Sequence, residues 1–427
     1  MTIAALYEIF RQHPSIATDT RKLKKGDLFF ALKGPNFNGN QFALQALEAG
    51  ASYAVVDEDI DANDERIIKT EDALSTLQQL AKYHRERFNI PFIAITGSNG
   101  KTTTKELVDA VVSSHYTTYT TQGNLNNHIG IPLTLLSVKD DAQMAVIEMG
   151  ANHQKEIAGY CEYAKPTHGI ITNAGKAHLE GFGGIEGVRK GKGELFDYLR
   201  STNGTAFAYD DYNYLHEMVK GISSVTWYGT RNGTVTGDVK TSEPFLSVAI
   251  TKGAGFDEIN TQLVGAYNLP NILCATAVGK YFGVPDEKIK QSIEQYTPSN
   301  SRSQLIEKDS NKIILDAYNA NPTSMKAAIE NFAQLHADKK VLLLGGMMEL
   351  GEESVKEHEA LIGLLKQYKW ENVVLVGGDF SKINHDGYIY LNNADEARNW
   401  LQQQQLQRAY VLIKGSRSMQ MEKAIAF

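Results

Sequence analysis

The sequence predicts an α/β protein of three domains, with parallel sheets covered by helices. Three observations carry that prediction. Short, nearly all-apolar runs recur, among them Phe92-Ile-Ala-Ile-Thr, Met144-Ala-Val-Ile-Glu-Met, Val341-Leu-Leu-Leu-Gly and Val373-Val-Leu-Val-Gly. Such runs suit strands buried on both faces. Helical stretches lie between them, and strands alternating with helices indicate a parallel sheet. The chain has 427 residues, and at about 150 residues per domain that length accommodates three.

Taken in order, residues 1–83 form the first domain. Asp27-Leu-Phe-Phe-Ala-Leu reads as a strand, Gln41 to Ala49 as a helix closed by Gly50, and Ala54-Val-Val as the next strand. Asp72 to Phe88 is a long helical stretch, apolar at Leu74, Leu77, Leu80, Ala81 and Phe88, that leads into the next domain. The central domain, residues 84–298, opens with the Phe92 run. A Gly-rich turn, a helix from Lys101 to Ser113 and further strands at Met144 and Gly169-Ile-Ile-Thr-Asn follow. The Gly- and Thr-rich region 221–262 reads as short antiparallel strands placed before a helix that starts near Asn268. The third domain, residues 299–427, begins after Pro298-Ser-Asn-Ser. It strings Lys312-Ile-Ile-Leu-Asp, the Val341 and Val373 runs and Tyr410-Val-Leu-Ile-Lys between helices, again a doubly wound pattern. The Gln402 to Gln405 run reads as a solvated helix face.

Composition excludes several classes. Lys and Arg number 43 against 50 Asp and Glu, a net charge of −7, so the chain is not built to bind nucleic acid in bulk. Two cysteines, Cys161 and Cys274, make neither a disulfide framework nor a thiolate zinc cluster. No apolar stretch approaches the ~20 residues of a membrane span. The N-terminus has no basic start or long apolar core of a signal peptide, so a cytoplasmic location is expected. There is no H-E-x-x-H and no G-x-S-x-G, which leaves a zinc protease or serine hydrolase without support.

The strongest local motif is Thr96-Gly-Ser-Asn-Gly-Lys-Thr-Thr-Thr, between a buried strand and a helix. Glycines let backbone N–H groups turn toward phosphates, and the helix N-terminus adds its positive dipole. Gly97, Ser98, Asn99 and Gly100 would form the cradle, Lys101 would reach the terminal phosphates, and Thr102, followed by Thr103, would ligate Mg²⁺. The spacing is the short G-x-x-G-K-T form, since position 95 is Ile. Glu148 stands at the carboxyl end of a predicted parallel strand, where open α/β sheets place ligand groups. There it could hold a second Mg²⁺ or simply cap the next helix. His178, in Thr172-Asn-Ala-Gly-Lys-Ala-His-Leu-Glu, follows another strand of the same domain and is a metal-ligand candidate. Lys192 lies in the basic run Val188-Arg-Lys-Gly-Lys-Gly-Glu, on a predicted helix.

Together these segments resemble the Mur ligases, the ATP-dependent amide-forming family that builds the peptidoglycan precursor. In that family T-G-x-N-G-K-T is the phosphate loop, and a strand-end Glu and the His of an H-L-[DE] segment contact magnesium. A lysine 14 residues beyond that His is carbamylated by CO₂ and helps hold the second metal; counting from His178 gives Lys192. The resemblance makes the first domain a nucleotide-sugar-binding one, the second the ATPase domain and the third a Rossmann-like ligase domain. Gly265-Ala-Tyr-Asn-Leu-Pro-Asn matches the family's G-x-[HY]-N-x-x-N segment on the adenine side of ATP, which assigns Asn268 and Asn271; Asn268 could also be a helix N-cap. Arg302 matches an arginine that approaches the ATP phosphates, and Asp316 an acid near the ribose.

The branch that adds D-alanyl-D-alanine is the one resembled, through Asp316-Ala-Tyr-Asn-Ala-Asn-Pro-Thr-Ser, Leu344-Gly-Gly-Met-Met-Glu-Leu-Gly with His358 downstream, and Lys414-Gly-Ser-Arg-Ser-Met-Gln-Met-Glu. The D-N-P-R segment of a sister branch is absent. Asp19, Thr20 and Arg21 would lie on the uridine side, and Asn127, with Tyr318 and Asn319, would contact substrate. The branch more often carries Ser at the position of Thr20, an acid at Asn38 and Gly346, and His at Asn40. Glu349, His358 and Tyr318 are candidates for recognising the dipeptide. The resemblance implies ATP, Mg²⁺ and a carbamylated Lys192 as cofactors. It implies UDP-N-acetylmuramoyl-tripeptide and D-Ala-D-Ala as substrates, and an acyl-phosphate intermediate. A monomer with no nucleic-acid partner is expected. A sister ligase adding another amino acid, or a phosphate-loop NTPase driving a protein partner, are the alternatives.

Overall fold

Leu28–Phe30, buried at every residue, is a central strand of a parallel sheet: Ile16–Ala17 pairs with it on one side and Tyr53–Val56 on the other, with Ile67–Lys69 beyond that. The computed structural model describes residues 1–299 and 301–425, so Asn300, in the predicted domain link, lies outside it. Contacts divide the chain into two units. One comprises Met1–Ile95, Tyr116–Ala151 and Lys155–Gly169, the other Thr96–His115, Asn152–Gln154 and Ile170–Phe427.

In the first unit the four-stranded parallel sheet packs through Phe29, Ala31, Ala54 and Val56 onto the helix Ala43–Glu48. A short antiparallel ribbon, Lys33–Gly34 with Phe37–Asn38, makes this part mixed α/β. The long helix runs Ala73–Arg85. Asp72 caps it by accepting the Ser75 N–H at 2.6 Å, and it ends three residues short of the Phe88 expected from the apolar pattern. Its buried His84 lies 3.0 Å through Nδ1 from the Tyr7 hydroxyl and 2.8 Å through Nε2 from the Val138 carbonyl, which makes Nε2 the donor. The strands Thr118–Thr120, Met144–Glu148 and Phe92–Thr96 lie side by side in that order, all parallel. The last two are buried at every residue, as their apolar runs require.

In the second unit the helix Lys101–Ser113 starts and stops where the sequence predicts. It packs against Leu269–Tyr281, a helix buried nearly all round. Gly279 permits that approach: a Cβ there would stand 2.6 Å from Val111 and 2.9 Å from Ile289. Region 221–262 differs from expectation. Ser224–Gly229 pairs parallel with Thr205–Tyr209, and the start of Val235–Ser242 pairs parallel with Ser224–Gly229; only Leu246–Lys252 and Glu258–Asn260 continue antiparallel. The cause is the helix Asn213–Met218, which crosses over between the first two strands. The C-terminal sheet has six strands in the order Gln304–Lys308, Asn311–Asp316, Ala409–Lys414, Lys339–Gly345, Asn372–Val376 and Ile389–Leu391. All pairs are parallel except the first. The two edge strands escaped the sequence reading because they are only half-buried and carry no apolar run. Gln402 to Gln405 is exposed, as expected of a solvated face. Both cysteines are buried, and no disulfide joins them. Among the described residues no helix is long and apolar enough to cross a membrane.

One partly buried acid gives a test of the packing. Asp109, on the Lys101–Ser113 helix, has its carboxyl pushed up to about 6 by burial, with Lys105 opposing and Glu106 adding to the rise. Between the unfolded value near 4 and about 6 the native state holds the extra proton, so stability falls as pH rises through that window. Asp109→Asn should therefore unfold at higher denaturant at pH 8, by about 1–2 kcal/mol, with the advantage gone at pH 4. Urea melts at the two pH values check this.

Candidate active site

The loop after Phe92–Thr96 is shaped for phosphate. Gly97 has φ +147° and Gly100 φ +77°, and the helix that follows has no side-chain cap at Gly100; its N-terminal dipole suits an anion. Residues 172–175 brace the loop. The Ser98 N–H donates to the Asn173 carbonyl at 2.9 Å and the Ser98 hydroxyl to the Gly175 carbonyl at 2.8 Å. The Asn99 carbonyl accepts from Thr172 Oγ1 at 2.6 Å and Asn173 Nδ2 at 3.0 Å. Lys101 folds back, donating to the Gly97 carbonyl at 2.6 Å and the Ser98 carbonyl at 3.3 Å. Thr102 is buried and Thr103 half-buried.

Gly97 tolerates no side chain. A Cβ there would stand 2.0 Å from Thr172 Oγ1, in a backbone region L-residues avoid. Gly97→Ala should shift the loop, weakening ADP binding by about 10- to 100-fold and lowering stability by about 1–3 kcal/mol, the cost of one strained residue. Calorimetric titration checks it.

Asn268 and Asn271 stand behind this loop. Asn271 Oδ1 accepts from Thr104 Oγ1 at 3.0 Å and lies 2.9 Å from where a Gly100 Cβ would be. Its Nδ2 donates to Asn268 Oδ1 at 2.9 Å, and Asn268 Nδ2 donates to the Val264 carbonyl at 2.9 Å. Asn268 is the N-cap residue by position, but its side chain makes no capping bond. Both amides are buried and serve as struts under the helix that carries Lys101 and Thr102.

Residues beyond 320, in the same unit, reach this loop. Asn321 Nδ2 donates to Asn99 Oδ1 at 2.7 Å, and Asn321 also caps Pro322–Gln334. Lys176 pairs with Glu357 at 2.5 Å, and its N–H donates to Thr323 Oγ1 at 3.1 Å. His178 Nδ1 lies 2.6 Å from Glu349 Oε2. Both residues have positive φ, +50° and +62°, a cost accepted where surroundings hold the strain. The imidazole holds the Glu349 carboxyl below the usual range. Lys192 is 1% exposed on the helix Ile185–Thr202, with Nζ 4.8 Å from the Phe182 ring. Arg302 stacks on Tyr318, Cζ to centroid 3.5 Å, with Nε buried and unpartnered. Asp316 accepts from Lys414 at 2.6 Å and from the Ser303 N–H at 3.2 Å, so it is already paired. Lys414 also donates to the Asn319 carbonyl at 3.3 Å.

One candidate from the sequence turns out to be structural. His358 is fully buried; its Nε2 accepts the Met347 N–H at 3.0 Å and its Nδ1 donates to the Ser354 carbonyl at 2.7 Å. It holds a turn and has no nitrogen left for a dipeptide. At Gly346, where the resemblance leads one to expect an acid, a Cβ would stand 2.7 Å from Gly378 Cα, so the backbone leaves no room for one.

In the first unit, Asp19 grips Arg21 with two bonds of 2.8 and 2.7 Å, and Thr20 opens the short turn between them. The Arg21 guanidinium holds the Asp19 carboxyl down to about 2. Asn38 and Asn40 form a network with Asp57: Asn40 Nδ2 donates to Asp57 Oδ1 at 2.7 Å, and Asn38 Oδ1 accepts the Asn40 N–H at 3.0 Å. Asn127 Oδ1 caps Gly130–Leu136 by accepting from Ile129 and Gly130 N–H groups at 3.1 and 2.9 Å. Glu148 is 1% exposed and pairs in register with Ile95, the residue before Thr96. Its Oε1 accepts from Asn126 Nδ2 at 2.7 Å, while Oε2 is buried and unpartnered. An orphaned buried carboxylate oxygen suits a hard cation, so this residue fits a Mg²⁺ ligand. The sequence reading missed Asn126, Asn321, Lys414 and Glu349's pairing with His178. Only the doubled Asn126-Asn127 offered a local signal.

Three family descriptions match the chain: "Mur ligase family, catalytic domain" over residues 14–85, "Mur ligase middle domain" over 95–279 and "Mur ligase, glutamate ligase domain" over 301–417. The UDP-N-acetylmuramoyl-tripeptide--D-alanyl-D-alanine ligase of Bacillus subtilis is 34% identical over 423 residues, 96% of this chain and 92% of the relative. Among solved structures, MurF from Acinetobacter baumannii superposes with TM-score 0.90 at 31% identity, covering 100% of this chain and 98% of that one. MurF ligase from Thermotoga maritima, in complex with ADP, gives TM-score 0.88 at 25% identity, covering 97% of each chain.

Proposed function

We infer the reaction from one premise: this chain belongs to the Mur ligase family. It is an ATP-dependent, ADP-forming ligase that adds D-alanyl-D-alanine to the carboxylate of UDP-N-acetylmuramoyl-tripeptide, in peptidoglycan precursor synthesis. The observation that carries this reading is the match, end to end, to ligases named for that reaction, with the phosphate loop unbroken. Three domains, at 1–83, 84–298 and 299–427, divide the work between nucleotide sugar, ATP and amine, in the cytoplasm.

A carboxylate is a poor electrophile, so the γ-phosphoryl group of ATP is first transferred to it. The dipeptide amine then attacks the acyl phosphate and phosphate leaves. The protein contributes positioning and charge neutralisation. The first-turn N–H groups after Gly100 hold the phosphates, and Lys101 exchanges its two loop carbonyls for phosphate oxygens. Arg302, stacked on Tyr318 and free of a carboxylate partner among the described residues, meets developing phosphoryl charge. Asp19, Thr20 and Arg21 bind on the uridine side, Asn127 contacts the tripeptide nucleotide, and Tyr318 and Asn319 border the amine. The family resemblance assigns Thr102, Glu148, His178 and a carbamylated Lys192 as Mg²⁺ ligands; the cation, when bound, offsets charge on the phosphates and the acceptor carboxylate. Glu349 lies 2.6 Å from His178 Nδ1, so Nε2 is the nitrogen that would face a cation.

The test is ADP release with Mg²⁺-ATP and the tripeptide nucleotide, offering D-Ala-D-Ala, D-Ala, diaminopimelate or no amine. Release that requires D-Ala-D-Ala and yields an amide supports the reading. Release with another amine points to a sister ligase, and amine-independent release to an NTPase.

A further inference from the structure

Two guanidinium groups face one ring. Arg302 Cζ lies 3.5 Å and Arg417 Cζ 5.4 Å from the Tyr318 centroid. Neither has a carboxylate partner among the described residues, and Arg417 is exposed. Asp316, two residues before Tyr318, is already taken by Lys414 and the Ser303 N–H. Three cations therefore gather around residues 316–318 against one carboxylate, and the excess positive charge calls for an anion.

The place is suitable. Tyr318 follows the carboxyl end of Asn311–Asp316, and Arg417 follows that of Ala409–Lys414, its parallel neighbour. Open parallel sheets bind ligands at that edge. Ser416 pins the Arg417 turn: its hydroxyl accepts the Met348 N–H at 2.9 Å and donates to the Ala320 carbonyl at 3.3 Å. The same loop carries Asn321, which bonds Asn99 in the phosphate loop. An anion held by Arg417 would thus sit beside the phosphoryl site without being part of it.

We propose that Arg417 binds the C-terminal carboxylate of the incoming dipeptide, with the Tyr318 ring holding its guanidinium in place. This rests on the ligation reading above. The dipeptide's amine must reach the acyl phosphate, and its carboxylate lies two residues away, about 7 Å in an extended chain. A cation one loop removed from the phosphates meets that requirement. Arg302, whose Nε is buried, stays with the phosphates. The guanidinium fork matches a carboxylate in two parallel bonds, so a free carboxyl end becomes a condition of good turnover.

Wild-type, Arg417→Ala and Arg417→Lys enzymes are compared on D-Ala-D-Ala and on its C-terminal amide, with KM for ATP measured alongside. The wild type should prefer the acid by about 10- to 100-fold in kcat/KM, the worth of a charge-assisted bond. Arg417→Ala should lose most of that preference through KM for the dipeptide, with KM for ATP unchanged, and Arg417→Lys should recover part of it. A rise in KM for ATP with the acid preference intact would move Arg417 to the phosphates and overturn the proposal. Equal wild-type use of acid and amide would overturn it too, while leaving ligation standing. A wild type that ligates neither peptide would overturn the ligation reading itself, and the proposal with it.

Discussion

Replacing Lys101 by alanine is expected to lower kcat for amide formation by about 10²- to 10³-fold, the loss seen when one preorganised charge donor is removed. The argument starts from where the amine is held. It donates to carbonyls of its own loop, at Gly97 and Ser98, both on the short path between the strand and the helix. Those carbonyls are weaker acceptors than a phosphate oxygen, so a nucleotide recruits the ammonium at little reorganisation cost. The side chain is half-buried rather than enclosed, and the loop's shape comes from other groups: Thr172, Asn173 and Gly175 brace Ser98 and Asn99, and Asn271 supports the helix behind. The variant should therefore melt with the wild type and still bind ADP, while ligation collapses. Arginine should not rescue it, because a planar fork does not fit a pocket cut for a point charge. A fall in melting temperature matching the fall in kcat would mean that the lysine holds the loop together instead of serving the phosphates.

What the sequence made legible follows from the range over which each signal acts. Phe92-Ile-Ala-Ile-Thr, the glycine turn and Lys101–Ser113 are local: burial on both faces, two positive-φ glycines and a helix start lie within about twenty consecutive residues. The four central strands of the C-terminal sheet were legible for the same reason, while Gln304–Lys308 and Ile389–Leu391 were not, because edge strands need no apolar run. The parallel pairing of Ser224–Gly229 depended on recognising Asn213–Met218 as a crossover helix, six residues with a single buried apolar side chain, Leu215. The site's supports are the least legible part. Asn321 meets Asn99, Glu349 meets His178, and Lys414 meets Asp316 across long stretches of chain. Each partner alone is an ordinary polar residue. Asp316 shows the consequence: motif matching offered it to the ribose, and the fold has already paired it with a buried lysine.

Lys192→Ala is expected to lower kcat by about 10²-fold or more, several kcal/mol of charge stabilisation at about 1.4 kcal/mol per tenfold, and to recover part of it in formate or acetate. The physical case rests on where the lysine sits. It is 1% exposed on the buried face of Ile185–Thr202, in line with Val188, Leu195 and Phe196. Its Nζ lies over the Phe182 ring, whose close approach Gly191 permits, since a Cβ there would strike the ring at 2.4 Å. Addition of the neutral amine to CO₂, with loss of one proton, turns the cation into an anionic oxygen ligand that a divalent metal prefers. Two readouts separate that chemistry from packing. Degassed, bicarbonate-free wild-type enzyme should lose activity and regain it when bicarbonate is restored, whereas a lysine acting as a cation would be indifferent. Lys192→Met keeps the stem against Phe182 and fills the space a small carboxylate would need, so acetate should rescue the alanine variant and not the methionine one. Equal rescue of both, or of neither with nucleotide binding intact, would place the catalytic charge elsewhere and leave Lys192 a buried strut of its helix.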